Sequence, residues 1–142
     1  MIILDTNVLS ELMRPRPVPR VLDWVAKQPA AELFTTAITQ GEILYGIELL
    51  AAGRRREGLL AAAEAMFRED LGGRVLSFGS EAAADFGRIA AHRRALGRPI
   101  SHADAQIAAI ARTQRADLAT HNVADFRDCG IEVLDPWNDV SV

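Results

Sequence analysis

The sequence predicts an α/β fold of three layers, with a mostly parallel central sheet of about five strands and helices on both faces. Three observations carry this prediction. Short apolar runs alternate with longer helical segments along the whole chain, the order of a parallel sheet whose crossovers are helices. The chain has 142 residues, and we expect residues 1–142 to form a single domain. About half of it, 49%, is apolar, enough for a core, and no repeat, linker or low-complexity stretch interrupts it.

The elements follow in order. Ile2 to Leu4 reads as a buried strand that stops at Asp5. A helix through Val8 to Met13 breaks at Arg14-Pro15-Arg16-Pro17, and Pro19 starts the next, which carries Val21, Leu22, Trp24 and Val25 and stops near Pro29. Leu33 to Thr35 is the second strand. A long helix spans about Ala37 to Ala52, with Gly53 as its stop, and Arg54 to Asp70 forms another, ending at Gly72-Gly73. Arg74 to Phe78 is the third strand. Ser80 is placed to cap a helix lasting to about Leu96, ended by Gly97 and Pro99. Ser101 begins the last helix, through Ala111 or beyond. Leu118 to Thr120 and Ile131 to Leu134 are the last strands, and Pro136 closes the sheet. Alanine in the last two long helices suits close helix packing.

Composition narrows the function. No run approaches the roughly 18 apolar residues of a membrane span. The N-terminus has no basic region, so no secretory leader is expected. Cys129 is the one cysteine, which excludes an internal disulfide and a cysteine zinc site, and a reducing cytoplasm is the expected compartment. The net charge of −3 does not announce a nucleic-acid binder. Lys27 is the single lysine, and arginines cluster at Arg14, Arg16 and Arg20, at Arg54 to Arg56, and at Arg93, Arg94 and Arg98. These clusters suit solvated helix faces or local phosphate contacts.

Four acids stand out. Asp5 ends a strand, where ligands of parallel sheets bind, and it also fits a helix N-cap. Glu42 has Ile38, Tyr45, Gly46 and Leu49 around it on the helical wheel, so it is expected to face packed material. A capping box starting at Thr39 is the alternative, although it leaves Ala37 and Ile38 outside the helix. Asp104 has Ile107, Ala108 and Ala111 as neighbours, and Ser101-His102-Ala103-Asp104 also fits a capping box. Asp125 follows the Leu118–Thr120 strand and could simply cap a turn. Together the four suggest a shared cation, because converging carboxylates raise one another's pKa unless a positive charge neutralises them. Oxygen donors without cysteine or a histidine pair favour magnesium, with manganese possible, over zinc. Such an ion suits phosphodiester cleavage. His92, His102 and His121 read as surface or supporting residues. Trp24 and Trp137 read as core or dimer contacts, and Met13 and Met66 as helix packing.

These residues also fall into an ordered set of motifs. Ile3-Leu4-Asp5-Thr6-Asn7-Val8-Leu9-Ser10-Glu11 resembles the opening of a PIN domain. Thr36 to Gly46, with Glu42 at its centre, resembles the second acidic motif. Gly97-Arg98-Pro99-Ile100 with Asp104 to Ala109 resembles the third, and Leu118 to Phe126 the fourth. Leu134-Asp135-Pro136-Trp137 resembles the usual ending. The resemblance covers the whole chain and is strongest to the VapC and FitB-like toxins. It implies a PIN-like fold and Asp5, Glu42 and Asp104 as metal-binding, catalytic acids. Many members carry Asp where this chain has Asn122, which makes Asp125 the candidate fourth acid. Thr6, Asn7, Thr120 and Asn122 are implied as supporting residues. The resemblance further implies a magnesium-dependent ribonuclease toxin that dimerises, cuts RNA, does not engage a membrane, and is blocked by a VapB-like antitoxin.

Two other readings use the same residues. Haloacid dehalogenase-like phosphatases carry a strand-end Asp as phosphoryl acceptor, but they need Asp-x-Asp and a late lysine. Here the order is Asp5-Thr6-Asn7, and the lysine is Lys27. A PIN fold that binds a partner or DNA without cutting is the other reading, and the full set of core acids argues against it.

Overall fold

Ile3 and Leu4, adjacent on β1 (Ile2–Leu4), are both fully buried but belong to different cores. That alternation is the signature of a strand covered on both faces. A computed structural model describes residues 1–138; the last four residues of the expected domain, 139–142, lie outside them.

After β1 come α1 (Thr6–Leu12) and α2 (Pro19–Ala26), then β2 (Leu33–Thr36), α3 (Ala37–Glu48) and α4 (Arg54–Ala65). β3 (Val75–Leu76) leads to α5 (Ser80–Ala95) and α6 (His102–Gln114). β4 (Asp117–Ala119), a 3-10 turn (Val123–Phe126) and β5 (Val133–Leu134) complete the described order. The five strands pair as β3-β2-β1-β4-β5, and every pair is parallel. Leu4 is in register with Ala119 across the β1–β4 pair. The α/β expectation of about five mostly parallel strands holds.

Leu4 and Ala119 pack with Val8, Val21, Trp24, Ile43 and Ile47 on the side of α1 to α4. Ile3 and Leu118 pack with Ala82, Ile89, Ile107 and Ala108 on the side of α5 and α6. Ala108, Ala109 and Ala111 are fully buried, which lets α6 lie close to its neighbours. Trp24 is a core residue, and Trp137 packs against the same cluster while partly buried. Glu11, also buried, accepts from Val18 N–H (3.2 Å) and Arg14 Nη1 (3.4 Å), closing the proline-rich loop before α2.

Some boundaries differ from expectation. α3 stops at Glu48, not near Ala52, because Leu49 and residues 51–53 are exposed and have no packing to extend the helix. Ser80 does not cap α5. It is the first helical residue, and Gly79 holds the cap position with extended backbone and no side-chain bond. The Arg54–Asp70 helix is found, but its last turn, Met66–Asp70, widens to π geometry before Gly72 and Gly73 turn the chain at φ 55° and 73°. β3 and β5 are shorter than expected and lie at the sheet edges, β4 begins one residue earlier, and a 3-10 turn at Ala30–Glu32 precedes β2.

The order β3-β2-β1-β4-β5 makes β1 and β4 the switch point, where the chain leaves in opposite directions on the two sides. The crevice beyond their carboxyl ends is where ligands of such sheets bind. α1 and α3 begin directly after β1 and β2, so their positive N-terminal ends face the same crevice.

Candidate active site

Asp5 follows β1, and its backbone N–H still donates to Ala119 O (3.0 Å), continuing the ladder. Its side chain is almost fully buried. It caps α1 by accepting from Thr6 N–H (2.8 Å). Thr120 Oγ1 donates to Asp5 Oδ2 (2.7 Å), and Asn7 Nδ2 donates to the same oxygen (3.3 Å). Burial raises the Asp5 carboxyl above the usual carboxylate range. The bonds from Thr120, Thr6 and Asn7 oppose that rise, and the charge of Glu42 adds to it. The N-cap reading of Asp5 therefore holds, and it leaves Asp5 close enough to Glu42 for their charges to interact.

Thr120 is fully buried just after β4. Its oxygen also accepts from Asn7 Nδ2 and Asn122 N–H, both at 3.1 Å. Asn7 Oδ1 accepts from His121 N–H (3.1 Å). Asn7 thus joins the end of β1 to the segment after β4 across the switch point. Asn122 enters the network through its backbone, and its side chain caps nothing. The His121 ring tilts over Trp137 at 4.5 Å between centroids, with Nδ1 3.4 Å from Asp135 Oδ1.

Glu42 lies on the second turn of α3. Thr36 caps this helix by accepting from Thr39 N–H (3.1 Å), so the capping box starting at Thr39 does not form. Thr6 Oγ1 donates to Glu42 Oε1 (2.9 Å) and lies 3.0 Å from the buried Thr39 hydroxyl. One expectation fails here. Glu42 does not face packed material; it is exposed, as are Tyr45 and Leu49 at 67% and 68%. The core contacts of α3 come from Ile43 and Ile47 instead. Thr39 was missed as a supporting residue, and its burial beside Thr6 is the signal that reveals it.

Asp104 lies in the first turn of α6, partly buried, and Ser101 caps that helix by accepting from Asp104 N–H (3.2 Å). The Ser101 half of the expected capping box has formed, and the charges of the other acids still act on Asp104. Its pKa is pushed up to about 6, first by burial, then by the charges of Asp5, Asp125 and Glu42, against a lowering bond from Ser101. Asp125 is exposed on the 3-10 turn after β4. Acids from four separate segments thus act on one another at the sheet's carboxyl end. His102 and His121 are exposed beside them, and His92 is exposed as well.

The sequence groups Arg93 with Arg94 and Arg98 as a solvated helix face or a local phosphate contact, and for Arg93 neither holds. Arg94 and Arg98 are exposed, but Arg93 is buried at 5% exposure. It donates to Arg98 O (2.8 Å), Asp125 O (2.7 Å) and Arg127 O (3.0 Å). Spacing held the signal: Ala82, Phe86, Ile89 and Arg93 recur at helical intervals, on the face that packs into the core.

The donor set suits a hard divalent cation. It is all oxygen, and a cation would offset the burial and the neighbouring negative charges that together raise Asp104. Among the described residues, no three His, Cys, Asp or Glu side chains converge closely enough to enclose an ion by themselves. A cation here would therefore keep several waters, as magnesium does.

The PIN domain profile matches residues 2–131. VapC ribonuclease Y4jK of Sinorhizobium fredii is 35% identical, over 96% of this chain and 98% of its own. Toxin FitB of Neisseria gonorrhoeae is 34% identical, over 98% of this chain and 100% of its own. A solved structure of FitAB bound to an IR36 DNA fragment aligns with a TM-score of 0.92 and 33% identity, covering 99% of each chain.

Proposed function

The chain belongs to the PIN-domain family, and on that premise we propose that it is a metal-dependent ribonuclease, the toxic member of a type II toxin–antitoxin pair. The observation that carries the reading is geometric: Thr6 joins the buried Asp5 to Glu42 at the carboxyl ends of β1 and β2, its N–H bonded to the first and its hydroxyl to the second, and the charges of both reach Asp104 at the start of α6. Among the described residues, no helix is long and apolar enough to cross a membrane. The cytoplasm is the compartment we assign, and a homodimer the assembly.

Asp5, Glu42 and Asp104 would hold the cation, with Asp125 as the fourth acid. The oxygen-only set favours magnesium, with manganese able to replace it. When bound, the ion polarises the scissile phosphate and makes a water nucleophilic near neutral pH. The chain's own residues supply the rest. Thr120, Thr6 and Asn7 fix the Asp5 carboxylate from separate directions, so it needs little reorganisation on binding. Thr6 holds Glu42 toward Asp5 even though the Glu42 side chain is exposed to solvent. Asp104 takes its position from the Ser101 cap. A VapB-like antitoxin would block the site by setting an arginine or lysine against these carboxylates.

The test is RNA cleavage by the purified protein with magnesium, with EDTA, and by Asp5→Asn. Cleavage is expected with magnesium or manganese, and none with EDTA or Asp5→Asn. Full cleavage in EDTA would overturn the metal mechanism. A protein that binds RNA but leaves it intact under every condition would instead be a non-catalytic module.

A further inference from the structure

We propose that Arg93 is a positioning residue of the acid cluster: its buried guanidinium ties the turn carrying Asp125 to the turn leading into the helix of Asp104, and so sets the spacing of those two carboxylates. The inference rests on the metal-site reading above. Burying a guanidinium is costly unless its N–H groups are satisfied. Arg93 lies at the last turn of α5, and its hydrogen bonds all go to neutral atoms of two other segments. Nε donates to Arg98 O (2.8 Å), just past Gly97. Nη1 donates to Asp125 O (2.7 Å) and Arg127 O (3.0 Å) and approaches Cys129 Sγ (3.7 Å).

Both turns need such a fixed point. The first bends at Gly97, at φ 73°, and Arg98 N–H returns a bond to Arg93 O (2.9 Å). The Arg93 main chain and side chain thus grip both sides of this turn, three residues before the Ser101 cap of α6. The second turn carries Asp128 at φ 60°, a conformation costly for a residue with a Cβ, so local preference alone does not set its shape. An ion pair between Arg98 and Asp128 joins the same two segments on the surface. A lysine keeps the charge of Arg93 but presents one ammonium where the fork reaches carbonyls on two sides.

The test uses the full-length protein and Mn2+ as probe. Calorimetric titration is run on wild type, Arg93→Lys, Arg93→Gln, Asp125→Asn and the double variant Arg93→Lys with Asp125→Asn. Arg93→Gln buries no charge and guards against a lysine that will not fold. We expect either Arg93 variant to weaken Mn2+ binding about 10-fold, as loss of a supporting residue does, with melting still cooperative. RNA cleavage should lose kcat with KM little changed. In the Asp125→Asn background, Arg93→Lys should cost no further affinity beyond about 2-fold, because the spacing of the two carboxylates no longer matters once one of them is gone. Additive losses, unchanged Mn2+ affinity in the Arg93 variants, no effect of Asp125→Asn, or failure of both Arg93 variants to fold would each overturn the assignment. Wild-type protein that binds Mn2+ but cuts no RNA would sink the ribonuclease reading alone and leave the cycle readable. Wild-type protein that binds no Mn2+ would sink the metal site before any variant is measured.

Discussion

Asp104→Asn should abolish cleavage and yet stabilise the metal-free protein at neutral pH. The sign follows from the folded-state pKa, about 6 against an ordinary 3.8. The folded chain holds this proton more tightly than the unfolded one. Its contribution to stability is therefore fully present below pH ~3.8 and is lost as pH rises through about 6. The difference corresponds to about 3 kcal/mol at most, and solvent screening at this partly exposed group lowers it to about 1–2 kcal/mol. Asparagine removes that penalty but also loses about 0.3–1 kcal/mol of favourable charge at the start of α6. The net gain at pH 7.5 in EDTA is about 1 kcal/mol, or about 3 °C in melting temperature. At pH 5 the gain should shrink, because Asp104 in the folded protein is then largely protonated. Saturating magnesium should reverse the order by stabilising wild type about 2–3 kcal/mol at 100 times its Kd. The assay is thermal denaturation of both proteins at the two pH values, with EDTA and with magnesium. A variant less stable than wild type in EDTA by the same amount at both pH values would refute the argument and make Asp104 chiefly a capping residue.

Thr120→Val removes the shortest donor to Asp5 Oδ2 and two accepted bonds while keeping shape; it should cost about 2 kcal/mol in urea denaturation, and a loss under about 0.5 kcal/mol would show the bond is replaceable. Tyr45→Glu and Leu49→Glu, both at exposed positions, should leave the melting temperature unchanged but weaken binding of a VapB-like antitoxin at least about 10-fold, because each would set a charge in a desolvated contact. Calorimetry on the purified pair checks this, and unchanged affinity would place the partner elsewhere. The remaining affinity should fall with added salt if arginine or lysine side chains enter the acid cluster; a salt-independent Kd would argue against that contact.

Much of the fold was legible because its signals are local. Buried strands stop at Asp5 and Thr36, and Ser101 is placed one residue before an apolar helical pattern. The weighing of acids was harder. For Asp5 and Asp104, cap and site are not exclusive: Asp5 caps α1 and Asp104 is bonded by the Ser101 cap of α6, while their charges act on one another. A carboxylate at a helix N-terminus is held in place by the same N–H groups that would cap the helix in any protein. Nature's economy at such positions makes the capping pattern uninformative about function. Arg93 was hidden for a different reason. Its partners are main-chain carbonyls of Arg98, Asp125 and Arg127, and a backbone atom leaves no mark on residue identity.

The error at Glu42 has the most consequence. A helical wheel reports that a face is apolar; it does not report what covers it. α3 is apolar on more than one side. Ile43 and Ile47 face the core, which needs only one of those sides, while Tyr45 and Leu49 remain exposed on the wheel face of Glu42. An amphipathic helix at a protein surface would ordinarily put polar residues there. Large exposed side chains beside a charged site instead suit a surface completed by another molecule. The two properties then serve one purpose. An inhibitor that buries Tyr45 and Leu49 arrives one helical turn from Glu42, close enough to set a cation against the carboxylates. The apolar surface would supply affinity and the acids would supply specificity, so a partner that lost either contact should bind while leaving the site open, or reach the site without staying bound.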